Sequence, residues 1–360
     1  MERFSCDTQI VAGPGAVNEL GKLNIRRLLL VTDPYFADNG EAARVAGLAH
    51  AQAVEVFSKV RPDPTVELVA EGTAAVKEFK PDGVVALGGG SAMDCAKAML
   101  WFSGLEARLI AIPTTSGSGS EVTDFAVVTH GTLKYPLVDQ KLQPCMAILD
   151  SDLLENLPRR LIADAGFDVM AHALEAYVAK NAGAVSDALA RDAFCAAFAH
   201  LPASYSGKLE VRGRIHTAAT MAGMAFSQAG LGLCHAFAHC LGGMFHVPHG
   251  RLNAILLPAV VLLNAQYAPG KYAQLARSAG LGGSADTVAI RNLKNGLIRL
   301  RKELNMPQTL AQAGVEPRSV QRAVPEIVKA VKADPCFETN PFKPEDFMLR
   351  RLLEEVTGRV

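Results

Sequence analysis

The sequence has no hydrophobic run long enough to cross a bilayer. Its longest, AILLPAVVLL at 254–263, is short and is interrupted by Pro258. It has no net charge either: 36 Lys and Arg balance 36 Asp and Glu. That excludes the basic footprint expected of a protein that binds nucleic acid or an anionic membrane surface. The opening MERFSCDTQIVAG lacks a basic stretch followed by an apolar one, so no secretory signal is expected. Seven cysteines are scattered without a CxxC pair, which fits a reducing cytoplasm and not a disulfide framework. Internal repeats and low-complexity linkers are also missing.

What is present is a well-cored chain. At 360 residues, 49% hydrophobic and 20% charged, two domains are expected. The first 150 residues alternate short β-rich runs with helical patterns. RRLLLVTD, AVEVFS, GVVALGGGS and ARLIAIPTT read as strands, with GEAARVAGLAHA, TVELVAEGTAAVKEFK and AMDCAKAMLWF as helices between them. The strands are apolar on both faces, which predicts a parallel sheet wrapped by helices. From about residue 152 no β-rich run recurs, and long Ala/Leu-rich segments predict packed, buried helices. Ser151-Asp152 marks a helix start and a domain boundary, giving 1–151 and 152–360. PEDFMLRRLLEEVTG reads as a closing amphipathic helix.

Two segments at strand ends carry ligand chemistry. Gly88-Gly89-Gly90-Ser91 lies between a strand and a helix, where glycines admit close backbone approach and the helix N-terminus attracts phosphate. A tight turn is the other reading. PTTSGSGSEVT at 113–123 follows the next strand and offers small hydroxyls to a ribose or pyrophosphate; read alone it is equally a flexible Ser/Gly loop. The pair at successive strand ends favours a dinucleotide, although the spacing is not GxGxxG. Asp33, at the end of the first strand, suits an adenosine ribose 2′-hydroxyl and equally suits a solvated turn.

A third feature is the histidines. CHAFAHCLGGMFHVPHG, Cys234 to Gly250, holds four of the nine: His235, His239, His246 and His249. Upstream, Asp168 and His172 lie four apart in GFDVMAHALEAY and share one helix face, as do His235 and His239. A lone histidine on an apolar helix is ordinarily a core residue. Four in one short window are hard to reconcile with packing, because each buried imidazole needs a partner. A carboxylate with several imidazoles suits a divalent first-row metal. The Leu-Gly-Gly between them is expected to let the chain leave the helix and return His249 to the same ion. His50, His130, His200 and His216 read as ordinary histidines.

Together GGGSAMDCAK, PTTSGSGSEVT, FDVMAHALEAYV, AGMAFSQAGLGLCHAFAH and GGMFHVPHGRLNAILLP resemble the iron-containing (group III) alcohol dehydrogenases. The match runs from about Gly13 to the last helix. GGGSAMD, WFS, KYPL, FSQAGLG and FHVPHG point within that family to the 1-propanol dehydrogenases of propanediol utilisation and their ethanolamine-utilisation relatives.

The resemblance implies a dehydroquinate synthase-like architecture. A Rossmann-like α/β dinucleotide-binding domain precedes an all-α metal-binding domain, with the active site in the cleft between them. It implies Asp168, His172, His235 and His249 as metal ligands, with Fe²⁺ expected and Zn²⁺ compatible with the same donors. His239 falls on the histidine beside the nicotinamide, a candidate for proton relay. Asp33, Gly89, Gly90, Ser91, Thr114, Thr115, Ser118 and Lys134 fall on dinucleotide contacts, and Asp33 then implies NAD(H) over NADP(H). Phe226 matches an aromatic of the substrate channel, and His246 is expected to shape the pocket.

The implied activity is interconversion of a short-chain aldehyde and its primary alcohol, propanal or ethanal first, with lactaldehyde/1,2-propanediol and butanol as alternatives. A metal- and NAD-using carbon–oxygen lyase is a distant one. A cytoplasmic homodimer is implied, with a bacterial microcompartment as a further possible setting and neither nucleic acid nor membrane as partner. Cys240, Ser118 and Phe167 depart from the common family pattern without removing a ligand.

Overall fold

The computed structural model describes residues 4–131 and 133–358, which form two compact units dividing between Leu157 and Pro158. The first, Ser5–Leu157, is built on a six-stranded parallel sheet. Its strands are β1 (Gln9–Ala12), β2 (Arg27–Val31), β3 (Ala53–Phe57), β4 (Gly83–Gly88), β5 (Arg108–Pro113) and, after a hairpin of β6 (Phe125–His130) and β7 (Leu133–Val138), β8 (Met146–Leu149). The spatial order is β1-β8-β5-β4-β2-β3. Leu28 pairs with Gly83 and Gly83 with Arg108, so β2, β4 and β5 run side by side.

Alternate residues of these strands feed two separate cores, as the two-residue period of a strand requires. Leu29, Val31, Val84, Ala86, Leu109 and Ala111 face one layer. Leu28, Leu30, Val85, Leu87, Ile110 and Ile112 face the other. The helices of this unit are α1 (Pro34–Asp38), α2 (Glu41–Leu48), α3 (Val66–Phe79) and α4 (Gly90–Ser103).

The predicted strands and helices of this unit are all found. The antiparallel β6–β7 hairpin and the short β1 and β8 were not anticipated. Pro136 interrupts the alternation of β7, and proline within a run argues against a strand except at an edge. The hairpin packs on α4, and fully buried Lys97 fastens it. The Lys97 ammonium donates to Thr123 O at 2.8 Å, Thr123 Oγ1 at 3.0 Å and Phe125 O at 2.8 Å.

The second unit, Phe4 with the residues from Pro158 onward, contains helices and no strand among its described residues. It contains α5 (Arg159–Val178), α6 (Ala184–Tyr205), α7 (Arg212–Ala229), α8 (Leu233–Phe245), α9 (His249–Asn264), α10 (Pro269–Ser278), α11 (Asp286–Glu303), α12 (Pro317–Ala333), α13 (Pro335–Thr339) and α14 (Asp346–Thr357). Among the described residues no helix is long and apolar enough to cross a membrane. All seven cysteines are free thiols.

One local expectation is overturned. The Leu241-Gly242-Gly243 segment does not end α8, which continues to Phe245. His246 makes the exit: it is the C-cap, at φ 55°, and its N–H donates to Gly242 O at 3.0 Å. A left-handed residue at that place satisfies a carbonyl the helix would otherwise leave open. Val247-Pro248 then leads straight into α9, whose first residue is His249.

Candidate functional site

Three helices of the second unit supply one cluster. Asp168 and His172 project from α5, His235 from α8 and His249 from the start of α9. One ligand atom from each lies within 4.8 Å of all the others. His249 Nε2 is 3.5 Å and His235 Nε2 3.9 Å from Asp168 Oδ1. Asp168, His172 and His235 are buried, His249 partly so. The His172 ring stacks between His235, at 4.4 Å between centroids, and Phe226, at 4.5 Å.

Close helix contact makes this convergence possible. A Cβ on Gly250 would stand 2.1 Å from the backbone oxygen of Asp164, so only glycine lets α9 begin against α5. Beside it, the Arg251 guanidinium binds both oxygens of Asp164, at 3.2 and 2.6 Å.

A surrounding set of polar groups orients the ligands. Glu175, seven residues after Asp168 on α5, is fully buried. Its carboxylate accepts from the N–H groups of Gly232 at 3.0 Å, Cys234 at 2.6 Å and His235 at 3.2 Å, and from His235 Nδ1 at 2.7 Å. It therefore caps α8 and fixes one of that helix's own side chains. With Nδ1 donating, His235 Nε2 carries the lone pair that a metal requires.

Burial pushes the His235 imidazole well below its ordinary pKa, with the neighbouring imidazoles adding to the effect, so it stays neutral. Burial also pushes the Glu175 carboxyl up to about 7, against the lowering effect of its three backbone donors. Asn253 of α9 donates to Asp168 Oδ1 at 2.8 Å.

The donor set of three imidazole nitrogens and one carboxylate oxygen, gathered without sulfur, fits a divalent ion such as Fe²⁺ or Zn²⁺. His239 lies one helical turn beyond His235. Its ring stacks on His249 at 5.3 Å, and its Nδ1 meets Asp334 Oδ2 at 2.8 Å. His246 is exposed at the helix end and is not part of the four-residue cluster.

The first unit gathers the cofactor candidates at the carboxyl ends of β2, β4 and β5. Asp33 caps α1, accepting from the N–H of Phe36 at 3.2 Å. Gly88 has φ 152°, and a Cβ there would meet Ala92 at 2.6 Å, with Asp33 Oδ2 3.9 Å away. Gly89 is the N-cap of α4. A Cβ on Gly89 would lie 3.2 Å from Thr115 Oγ1, and one on Gly90 3.0 Å from Ser118 Oγ. Thr114 N donates to Gly88 O at 2.9 Å.

The glycine turn and the hydroxyl loop therefore touch. Ser91 and Lys134 are joined to them through Asp63, whose N–H donates to Ser91 Oγ at 3.3 Å and whose carboxylate pairs with the lysine. This is the carboxyl-end crevice in which open parallel sheets bind ligands, beside a helix N-terminus suited to phosphate.

Sequence reasoning missed Glu175, Asn253, Asp334 and Asp63. Glu175 alone had a local signal, its three-residue spacing from His172 on a helix already singled out. The others reach the site through contacts between distant segments.

A parallel sheet with a glycine turn at a helix N-terminus and a helical unit presenting an Asp-His₃ cluster are what a metal- and dinucleotide-using enzyme requires. The chain belongs to the iron-containing alcohol dehydrogenase family. Residues 7–151 match the model described as iron-containing alcohol dehydrogenase, and residues 162–356 match that of the C-terminal part of the Fe-containing alcohol dehydrogenase family.

The chain is 39% identical to 1-propanol dehydrogenase PduQ of Citrobacter freundii, over 99% of this chain and 100% of that one. It is 35% identical to the NADPH-dependent butanol dehydrogenase of Clostridium saccharobutylicum, over 98% and 97%. The iron-containing alcohol dehydrogenase structure from Thermococcus thioreducens superimposes with a TM-score of 0.90 at 33% identity, covering 98% of each chain.

Proposed function

We propose that this alcohol dehydrogenase interconverts a short-chain aldehyde and its primary alcohol, propanal/1-propanol or ethanal/ethanol, using NAD(H). The observation that carries the proposal is the convergence of Asp168, His172, His235 and His249 from three helices onto one point. A bound Fe²⁺ or Zn²⁺ would supply a Lewis acid for the substrate oxygen, and the nicotinamide the hydride.

The chain's own residues do the rest. Asp168 contributes the negative charge of the ligand set. Glu175 holds the His235 Nδ1–H and so aims Nε2 at the cluster. Phe226, stacked on His172, walls the site with an apolar face, which suits a small aliphatic substrate. His239 Nε2 exchanges the substrate proton with solvent, since its ring is 36% exposed. Arg251, the nearby cation in sequence, is engaged by Asp164 and does not offer itself to a substrate phosphate, which disfavours a carbon–oxygen lyase.

At the cofactor end, Asp33 accepts a ribose hydroxyl and repels a 2′-phosphate, favouring NAD over NADP. Gly89, Gly90, Ser91, Thr114, Thr115, Ser118 and Lys134 form the pyrophosphate and ribose cradle. The names of the 1-propanol dehydrogenase relatives support the propanal/1-propanol pair. The butanol dehydrogenase relative keeps butanal, and NADPH, in the comparison.

The test is His235→Ala assayed for metal content and for NADH oxidation with C2 to C4 aldehydes after Fe²⁺ or Zn²⁺ reconstitution. Loss of both ion and turnover is expected. Full turnover by a metal-free His235→Ala protein would sink the proposal.

A further inference from the structure

His235 and His239 stand one turn apart on α8, and each has its Nδ1 on a carboxylate from a distant segment. Glu175 holds the first at 2.7 Å and Asp334 the second at 2.8 Å. The first pair has an evident purpose, since it leaves His235 Nε2 for the metal. The second is built the same way around a ring outside the four-residue cluster.

The Asp334 carboxylate is fixed from both sides. Oδ2 accepts from His239 Nδ1, and Oδ1 accepts from the Cys336 N–H at 2.8 Å, capping α13. Its own N–H donates to Val331 O at 3.3 Å and closes α12, and Pro335 follows at once. A residue that ends one helix and starts the next has little freedom to rotate. Burial by itself would raise this carboxyl, yet the bonds from His239 and Cys336 hold it below its ordinary pKa. Its side chain is 14% exposed against 36% for His239, so the anchor is sheltered while the ring edge reaches solvent.

We propose that Asp334 is the positioning residue of the proton relay. Its carboxylate fixes the Nδ1–H tautomer of His239 and keeps the ring stacked along His249, so that Nε2 presents the lone pair that takes the substrate proton. In alcohol oxidation the hydroxyl proton passes to His239 Nε2 and then to solvent, while a bound nicotinamide would take the hydride; reduction reverses both transfers. A carboxylate that locks an imidazole tautomer without itself accepting the proton follows the general logic of His–Asp pairs. The proposal rests on the reading of His239 as the relay.

The test uses the metal-reconstituted enzyme and the variants Asp334→Asn, Asp334→Glu, His239→Ala and the double variant Asp334→Asn/His239→Ala. Asp334→Asn can still cap α13, but as a poor acceptor it loosens the tautomer. It is expected to retain metal content and NADH affinity while kcat falls about ten- to hundredfold with a small change in KM. The solvent deuterium isotope effect on kcat should rise and the primary effect from deuterated NADH should fall, because proton transfer has become limiting. Asp334→Glu should recover part of kcat. The double variant should be no slower than His239→Ala alone.

Losses that multiply in the double variant, or isotope effects that do not move, overturn the proposal. If Asp334→Asn proves unstable, Asp334→Ser, which keeps a capping oxygen without the charge, overturns the proposal equally if its kcat and solvent isotope effect are those of wild type. His239→Ala at wild-type kcat overturns the relay reading itself, whereas a silent Asp334→Asn beside an impaired His239→Ala overturns only the role of Asp334. His239, Asp334 and Cys336 also have ligand atoms within 4.8 Å of one another. Titration with Co²⁺ separates that possibility, because the Asp-His₃ cluster holds no sulfur. A second cobalt ion with a thiolate charge-transfer band, lost in Cys336→Ser, would make His239 a ligand and overturn the proposal.

Discussion

Glu175 and His235, 60 residues apart in sequence, are joined side chain to side chain at 2.7 Å, and the same carboxylate caps the helix on which that histidine rides. Helix position and ligand orientation therefore share one anchor. Glu175→Ala should lower metal affinity about ten- to hundredfold, the usual effect of removing the group that orients a metal-bound histidine. It also leaves buried N–H groups unsatisfied, so about 3 kcal/mol of stability should be lost. Metal retained after dialysis against a graded chelator, together with urea unfolding, checks both. Glu175→Gln, which keeps an acceptor oxygen, should lose less of each.

The contact of Gly250 with Asp164 makes a second test. Gly250→Ala places a methyl 2.1 Å from a backbone oxygen, and backbone cannot swing aside as a side chain tip can. Separation of α9 from α5 should cost about 3 kcal/mol and move His249 off the cluster, lowering metal content. Gly47→Ala is the control. Gly47 lies inside α2, and a Cβ there meets nothing within 4 Å. That change should stabilise the protein by about 0.5–1 kcal/mol. Thermal unfolding of the two variants should move in opposite directions.

The proposed choice of NAD over NADP rests on Asp33. Asp33→Ala removes the charge expected to repel a 2′-phosphate. The ratio of kcat/KM for NADPH to that for NADH should rise at least about tenfold. An unchanged ratio would remove Asp33 from the cofactor site.

Lys97 predicts a pH effect. Burial pushes its amine down to about 8 from 10.5, only partly opposed by Asp94, Glu121 and Asp124. Between those values the unfolded chain holds a proton that the native protein has shed, so stability rises with pH across that window. Below about 8 the amine is charged in both states and adds no pH dependence. Relative to Lys97→Met, the wild-type unfolding free energy should gain up to about 3 kcal/mol from pH 7.5 to 10.5. Denaturant unfolding of both proteins across that range gives the difference.

The sheet strands β2, β4 and β5 were legible because strands buried on both faces must be apolar throughout, a pattern that needs no knowledge of neighbours. β1 was not, since as an edge strand it is largely exposed and carries no such signature. Glycine weakens helices, so Leu241-Gly242-Gly243 reads as the exit from α8. Tertiary packing kept those glycines helical and put the left-handed residue at His246.

The sequence by itself determined which side chains share a helix face: Asp168 with His172, and His235 with His239, since an α-helix repeats every 3.6 residues. It also determined where the glycine turn and the hydroxyl loop fall relative to their strands. Tertiary structure decided which donors meet. The approach of α9 to α5 at Gly250, the carboxylate of Glu175 beneath α8 and the reach of Asp334 to His239 are contacts between segments distant in sequence. Local periodicity carries no record of such contacts, because they depend on how helices pack once their apolar faces are buried.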